Sequence, residues 1–117
     1  MFVYDVDRVA AFYRGVAGMI ETHADRQHVV LEMPGFQLTV HALSTSDGRS
    51  HGDYPAREDT YIKLCFPVAD LARARAIASS LGGELWPADR EWEARGFRAC
   101  DGRDPEGNVF QLRQAIG

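Results

Sequence analysis

The chain has 117 residues and a mass of 13.0 kDa, enough for one apolar core and too short for most two-domain architectures. With 45% apolar and 26% charged residues it is not generally disordered, and a net charge of −4, with Lys63 its only lysine and no basic run, argues against nucleic-acid binding. No stretch approaches the roughly 18–20 apolar residues of a membrane span; acids near the N-terminus argue against a signal peptide, and Cys65 and Cys100 form no CxxC pair. The composition reads as that of a soluble, cytoplasmic, reduced protein.

The first element is an amphipathic helix over residues 7–17. Val6, Val9, Tyr13 and Val16 share a face, Asp5 or Asp7 caps the start, and Gly18 ends it. Three strand-like runs follow, Met19–His23, His28–Met33 and Phe36–Leu43, the last two joined by the turn signal Met33-Pro34-Gly35. Residues 44–59 are polar and rich in breakers, which places a linker at 46–59 between modules 1–45 and 60–117. The pattern then restarts. A strand Tyr61–Pro67 leads to a helix capped by Asp70, with Leu71, Ala74, Ile77, Ala78 and Leu81 on one face and Gly82-Gly83 at its end. Strands at Glu84–Trp86, Gly96–Cys100 and Asn108–Gln114 complete the second half, the last two joined through Asp104-Pro105-Glu106-Gly107-Asn108. Both halves read strand–helix–strand–strand–strand, and Gly35 aligns with Gly107, which points to a degenerate tandem duplication.

Alternation along the strands assigns their faces. Ile62, Leu64 and Phe66, then Phe36, Leu38, Val40 and Ala42, then Phe110 and Leu112 are apolar rows to be covered by the helices. The opposite rows carry Lys63 and Cys65; Gln37, Thr39 and His41; and Val109, Gln111 and Arg113. That mixture of polar and apolar groups suits the lining of a ligand cup.

Three segments resemble the vicinal oxygen chelate superfamily of glyoxalase I, bleomycin-resistance proteins and extradiol dioxygenases. They are Asp7-Arg8-Val9-Ala10-Ala11-Phe12-Tyr13 through Met19, Val68-Ala69-Asp70-Leu71 with Leu81-Gly82-Gly83, and Asp104-Pro105-Glu106-Gly107-Asn108-Val109-Phe110-Gln111-Leu112. The resemblance implies an α+β fold of paired βαβββ modules, curved mixed sheets forming a cup with helices outside. It also implies, commonly, a homodimer whose cups form between modules. Enzymes of the superfamily hold one divalent metal at four strand positions. Carried over, the first falls before Met1 and the others fall on Thr39, Lys63 and Gln111, a set in which the ammonium cannot ligate and the other two are weak neutral donors.

The resemblance therefore favours a protein without cofactor that sequesters an aromatic or amphipathic metabolite or antibiotic, in the manner of bleomycin-resistance proteins. Thr39, His41, Lys63, Gln111, Arg113, Trp86 and Trp92 are its expected ligand-binding residues. Lys63 and Arg113 favour an anionic or phenolic ligand, and each Trp either stacks on it or plugs the module interface. Lys63 is expected to pair with Gln111 and Thr39 and with no carboxylate. The alternative is a metal-dependent glyoxalase, lyase or dioxygenase with atypical ligands, His41 among them. A third reading makes Lys63 or Cys65 a base or nucleophile.

Overall fold

The computed structural model describes residues 1–43 and 54–116. The two helices start by one device: Asp5 and Asp70 accept the amides of Arg8 at 3.1 Å and Arg73 at 3.2 Å, satisfying N–H groups that have no partner within the helix. Helix α1 (Val6–Ala17) ends at Gly18, whose φ of 68° lies in the left-handed region. Helix α2 (Leu71–Ser80) ends ahead of Gly82.

Strands β1 (Phe2–Val3), β2 (Ile20–Ala24), β3 (His28–Met33) and β4 (Phe36–Ala42) form one sheet in the order β1-β4-β3-β2. Strands β5 (Leu64–Pro67), β6 (Glu84–Leu85), β8 (Phe97–Arg103) and β9 (Val109–Ala115) form the other in the order β5-β9-β8-β6, and a short β7 (Trp92–Ala94) pairs with β8. In each sheet the strand before the helix lies parallel to the last strand and the rest are antiparallel. Two βαβββ-like mixed sheets with one shared topology make an α+β fold. Gly35 and Gly107, with φ of 78° and 83°, turn the chain into the last strand of each sheet, as their alignment in sequence requires.

The apolar rows meet around α1. Phe12 and Tyr13 are fully buried; Phe12 packs edge-on to Phe110, and the Tyr13 ring touches both Phe66 and Phe110. The Tyr13 hydroxyl donates to Asp104 at 2.7 Å, and Asp104 also accepts the amides of Glu106 and Asn108 and the Asn108 side chain. Glu106 in turn accepts the amides of Tyr4 and Asp5 ahead of α1. The turn from Asp104 to Asn108 is thus more than a turn: it bonds the second half to the start of the first.

Several boundaries differ from those the sequence suggests. The fifth strand begins at Leu64, not Tyr61, because its partner β9 begins at Val109 and the edge beyond is taken by Arg57, whose amide donates to the Gly107 carbonyl. Ile62 accordingly leaves its apolar row and is 74% exposed, and Phe36 is also partly exposed. Strand β8 runs on past Cys100 to Arg103, and β7 was not anticipated. Of the expected linker, residues 46–53 lie outside the described residues; Tyr54 stacks on Tyr4 at 5.9 Å.

Candidate functional site

The mixed face of the second sheet carries a continuous chain of polar contacts. Register places Cys65 beside Gln111 and Gln111 beside Asp101 across β5, β9 and β8. Lys63 Nζ donates to Asp101 Oδ2 at 2.7 Å, and Gln111 Nε2 donates to Asp101 Oδ1 at 3.0 Å. Arg113 Nε donates to Gln111 Oε1 at 2.8 Å, and its guanidinium lies 4.3 Å from the centre of the Phe97 ring. The expectation that Lys63 meets no carboxylate is therefore wrong. Asp101-Gly102-Arg103 reads as the start of a loop, yet it continues β8 because Gly102 has no side chain: a Cβ there would run into the Glu84 carbonyl and Phe110.

Beside this chain lies a cavity of about 200 Å³ lined by Lys63, Trp86, Arg90, Trp92, Asp101 and Val109, with Glu58 at its wall. Trp86 packs against the core and is covered by the Arg90 guanidinium, 5.5 Å from its ring centre. Trp92 stands edge-on to Phe97 and is 42% exposed. Its position comes from a hairpin turn at Arg95-Gly96, both at positive φ, which sets Trp92 opposite Ala99. The segment is strapped down by Arg75, which donates to the Trp86 carbonyl and pairs with Glu91.

Of the expected binding residues, Lys63, Trp86 and Trp92 meet at this cavity, and Gln111 and Arg113 adjoin it through Asp101. Thr39 and His41 do not. Both lie on β4 in the first sheet, and among the described residues no hydrogen bond joins either to the second sheet's group. His41 instead sits between the rings of Phe2 and His28, its Nδ1 2.7 Å from the Ala42 carbonyl. Asp101, Arg90 and Glu58 are the residues that sequence reasoning missed; alternation continued beyond Cys100 would have found Asp101. Burial pushes the Cys65 thiol above its ordinary pKa, the reverse of what an activated nucleophile requires.

The chain matches the glyoxalase-like domain family over residues 2–113. It belongs to that family. No curated protein matches it in sequence. Its fold is shared with a glyoxalase/bleomycin resistance protein/dioxygenase family enzyme from Burkholderia phytofirmans PsJN (TM-score 0.71, 20% identity, 99% of this chain and 94% of that one). Likewise similar are a mutant of the fosfomycin resistance protein FosX from Listeria monocytogenes in complex with Mn(II) and a dihydroxypropylphosphonic acid (TM-score 0.68, 16% identity, 99% and 86% covered) and hypothetical protein SA1046 from S. aureus (TM-score 0.69, 13% identity, 98% and 92% covered).

A glyoxalase-like domain raises the question of a metal. The positions expected from the resemblance to correspond to metal ligands are Thr39, Lys63 and Gln111. Thr39 offers only a weak neutral hydroxyl, and the Lys63 ammonium offers no lone pair. Gln111 Oε1 already accepts Arg113 and faces the Cys65 thiol. Asp101, the carboxylate bonded to both Lys63 and Gln111, is neutralised by Lys63. This donor set does not fit a divalent cation.

Proposed function

We propose that this glyoxalase-like domain binds a small, planar, acidic organic molecule in the cavity of the second sheet. One observation supports this reading above the rest: the part-exposed Trp92 indole and two cations, Arg90 and the Asp101-paired Lys63, line one cavity with Trp86 and Glu58. Indole faces stack on planar rings, and a cation in a partly apolar recess favours an anionic or phenolic group. The cavity is smaller than the roughly 300–1,000 Å³ typical of sites for drug-sized ligands, so a single-ring compound suits it better than an antibiotic of bleomycin's size. Sequestration needs no catalytic group, and the neutralised Asp101 and unactivated Cys65 offer none.

The same reading includes a homodimer. In the single chain Phe2, Ile20 and Trp92 stand exposed on or beside the mixed faces of the two sheets. In a two-fold pair the first sheet of one copy would close the second sheet of the other, bringing Thr39 and His41 to the cup from the partner. Light scattering at micromolar concentration tests this, and a mass near 13 kDa refutes it.

The ligand class is tested by titrating benzoate, salicylate and phenol, with benzyl alcohol as a neutral control, against intrinsic Trp fluorescence. Saturable quenching by the acidic compounds, lost in Trp92→Ala, is expected. Equal response to benzyl alcohol, or undiminished binding in Lys63→Met, overturns the reading.

A further inference from the structure

We propose that the β2–β3 hairpin holds a borderline divalent cation through His23, Asp25 and His28, a site separate from the cavity of the second sheet. A bulge between Glu21 and His23 shifts the register so that His23 pairs with Val30. The rings of His23 and His28 then stand 4.8 Å apart, and the Asp25 carboxylate reaches both. Its Oδ2 lies 3.0 Å from His23 Nε2 and its Oδ1 3.2 Å from His28 Nδ1.

One donor atom from each of the three residues falls within 4.8 Å of the other two. Zinc takes imidazole and carboxylate ligands at about 2.0–2.2 Å, so donors of one tetrahedral site stand roughly 3–3.6 Å apart. Each imidazole nitrogen stands at that distance from an Asp25 oxygen, His23 from Oδ2 and His28 from Oδ1, and rotation about the exposed side-chain bonds brings one carboxylate oxygen and both imidazoles onto one ion. The side chains of His23, Asp25 and His28 are 50%, 45% and 30% exposed, which leaves an ion a path in. Among the described residues no Lys or Arg pairs with Asp25 to compete for it.

His41 borders the group. Its ring stacks on His28 at 5.7 Å, directly across the strand pair. A carbonyl can only accept, so in the contact with Ala42 the His41 Nδ1 is the donor. Two imidazoles and one carboxylate with an open fourth position is a donor set for Zn(II) or Cu(II), and unsuited to Mg(II) or Ca(II).

The test is a titration of the full chain with zinc chloride, followed by calorimetry and by NMR of the imidazole resonances. The expected result is one zinc per chain, with the His23 and His28 resonances moving together. His23→Ala, His28→Ala and Asp25→Asn should each weaken zinc on the order of tenfold or more, since losing even a group behind a ligand costs roughly 10–100-fold. All three positions are exposed on a hairpin, and circular dichroism checks that each variant folds. The proposal is overturned if the His23→Ala/His28→Ala double variant keeps full zinc affinity, or if wild type binds none at millimolar zinc. Zinc retained by the double variant but lost in Asp101→Asn would put the ion in the second sheet's cup and overturn it equally.

Discussion

Asp101→Asn and Lys63→Met should move ligand affinity in opposite directions, although both break the same ion pair. Lys63 Nζ lies 2.7 Å from Asp101 Oδ2. A ligand carboxylate bonded to Lys63 would hold its charge at a similar distance, roughly 4–5 Å from that of Asp101. Two like charges about 5 Å apart repel by about 0.8 kcal/mol in water and about 3 kcal/mol at an effective dielectric near 20. The Lys63 and Asp101 side chains are 42% and 23% exposed, which places the site between those limits, at about 1–2 kcal/mol. Asp101→Asn removes that repulsion while its side-chain oxygen still accepts Gln111, so an aromatic carboxylate should bind roughly 5–30-fold tighter. Lys63→Met removes a charged hydrogen bond and should weaken the same ligand by about 1.5–3 kcal/mol. Neither change should cost more than about 1 kcal/mol of stability, because the pair is part-exposed. Fluorescence titration with salicylate against benzyl alcohol reads both affinities, and urea unfolding reads stability. Weaker or unchanged salicylate binding in Asp101→Asn would refute the argument, as would an equal gain for benzyl alcohol.

Tyr13→Phe should cost about 1–3 kcal/mol in urea unfolding, because a buried hydroxyl bonded to the Asp104 carboxylate is lost. Burial, and then Asp104, hold the Tyr13 pKa above its ordinary value of 10.0, so the folded state keeps a proton that the unfolded state releases. That contribution is complete below pH 10.0 and declines as pH rises beyond it; a Tyr13→Phe variant should lose stability less steeply there, and equal slopes would exclude the linkage. Gly102→Ala should destabilise by about 1–3 kcal/mol or more, since its Cβ would meet the Glu84 carbonyl and lie 3.0 Å from the Phe110 ring; unchanged thermal unfolding would show that β6 can move aside.

Much of the architecture was legible in the chain because the contacts that specify it are local. Asp5 and Asp70 cap helices through the third residue on, Gly18, Gly35 and Gly107 turn where only positive φ will serve, and alternation sorts Leu38, Val40, Phe66, Phe110 and Leu112 to the buried face. Strand β7 escaped because it is three residues long and follows a 3-10 turn at Ala88–Arg90, too short for a period to register. The Arg95-Gly96 turn was its one signal.

The site divides in the same way. Residue type and alternation placed Lys63, Gln111 and Arg113 on one face of the second sheet, and nominated Trp86 and Trp92 beside them. They also nominated Thr39 and His41 as co-residents of one cup, which the single chain does not make them. Alternation tells which face of its own strand a side chain takes, not where one sheet stands relative to another. The partner of Lys63 lay 38 residues away, and the link through Asp101 to Gln111 exists only because β9 pairs with β5 on one side and β8 on the other in that register. The hairpin group at His23, Asp25 and His28 needed a bulge to bring its rings together. Short-range pattern thus determined most of the elements, their buried faces and the repeated order of strands and helix in the two halves. Only the pairing of distant strands decided which charges meet, because that depends on register and packing summed over the whole sheet.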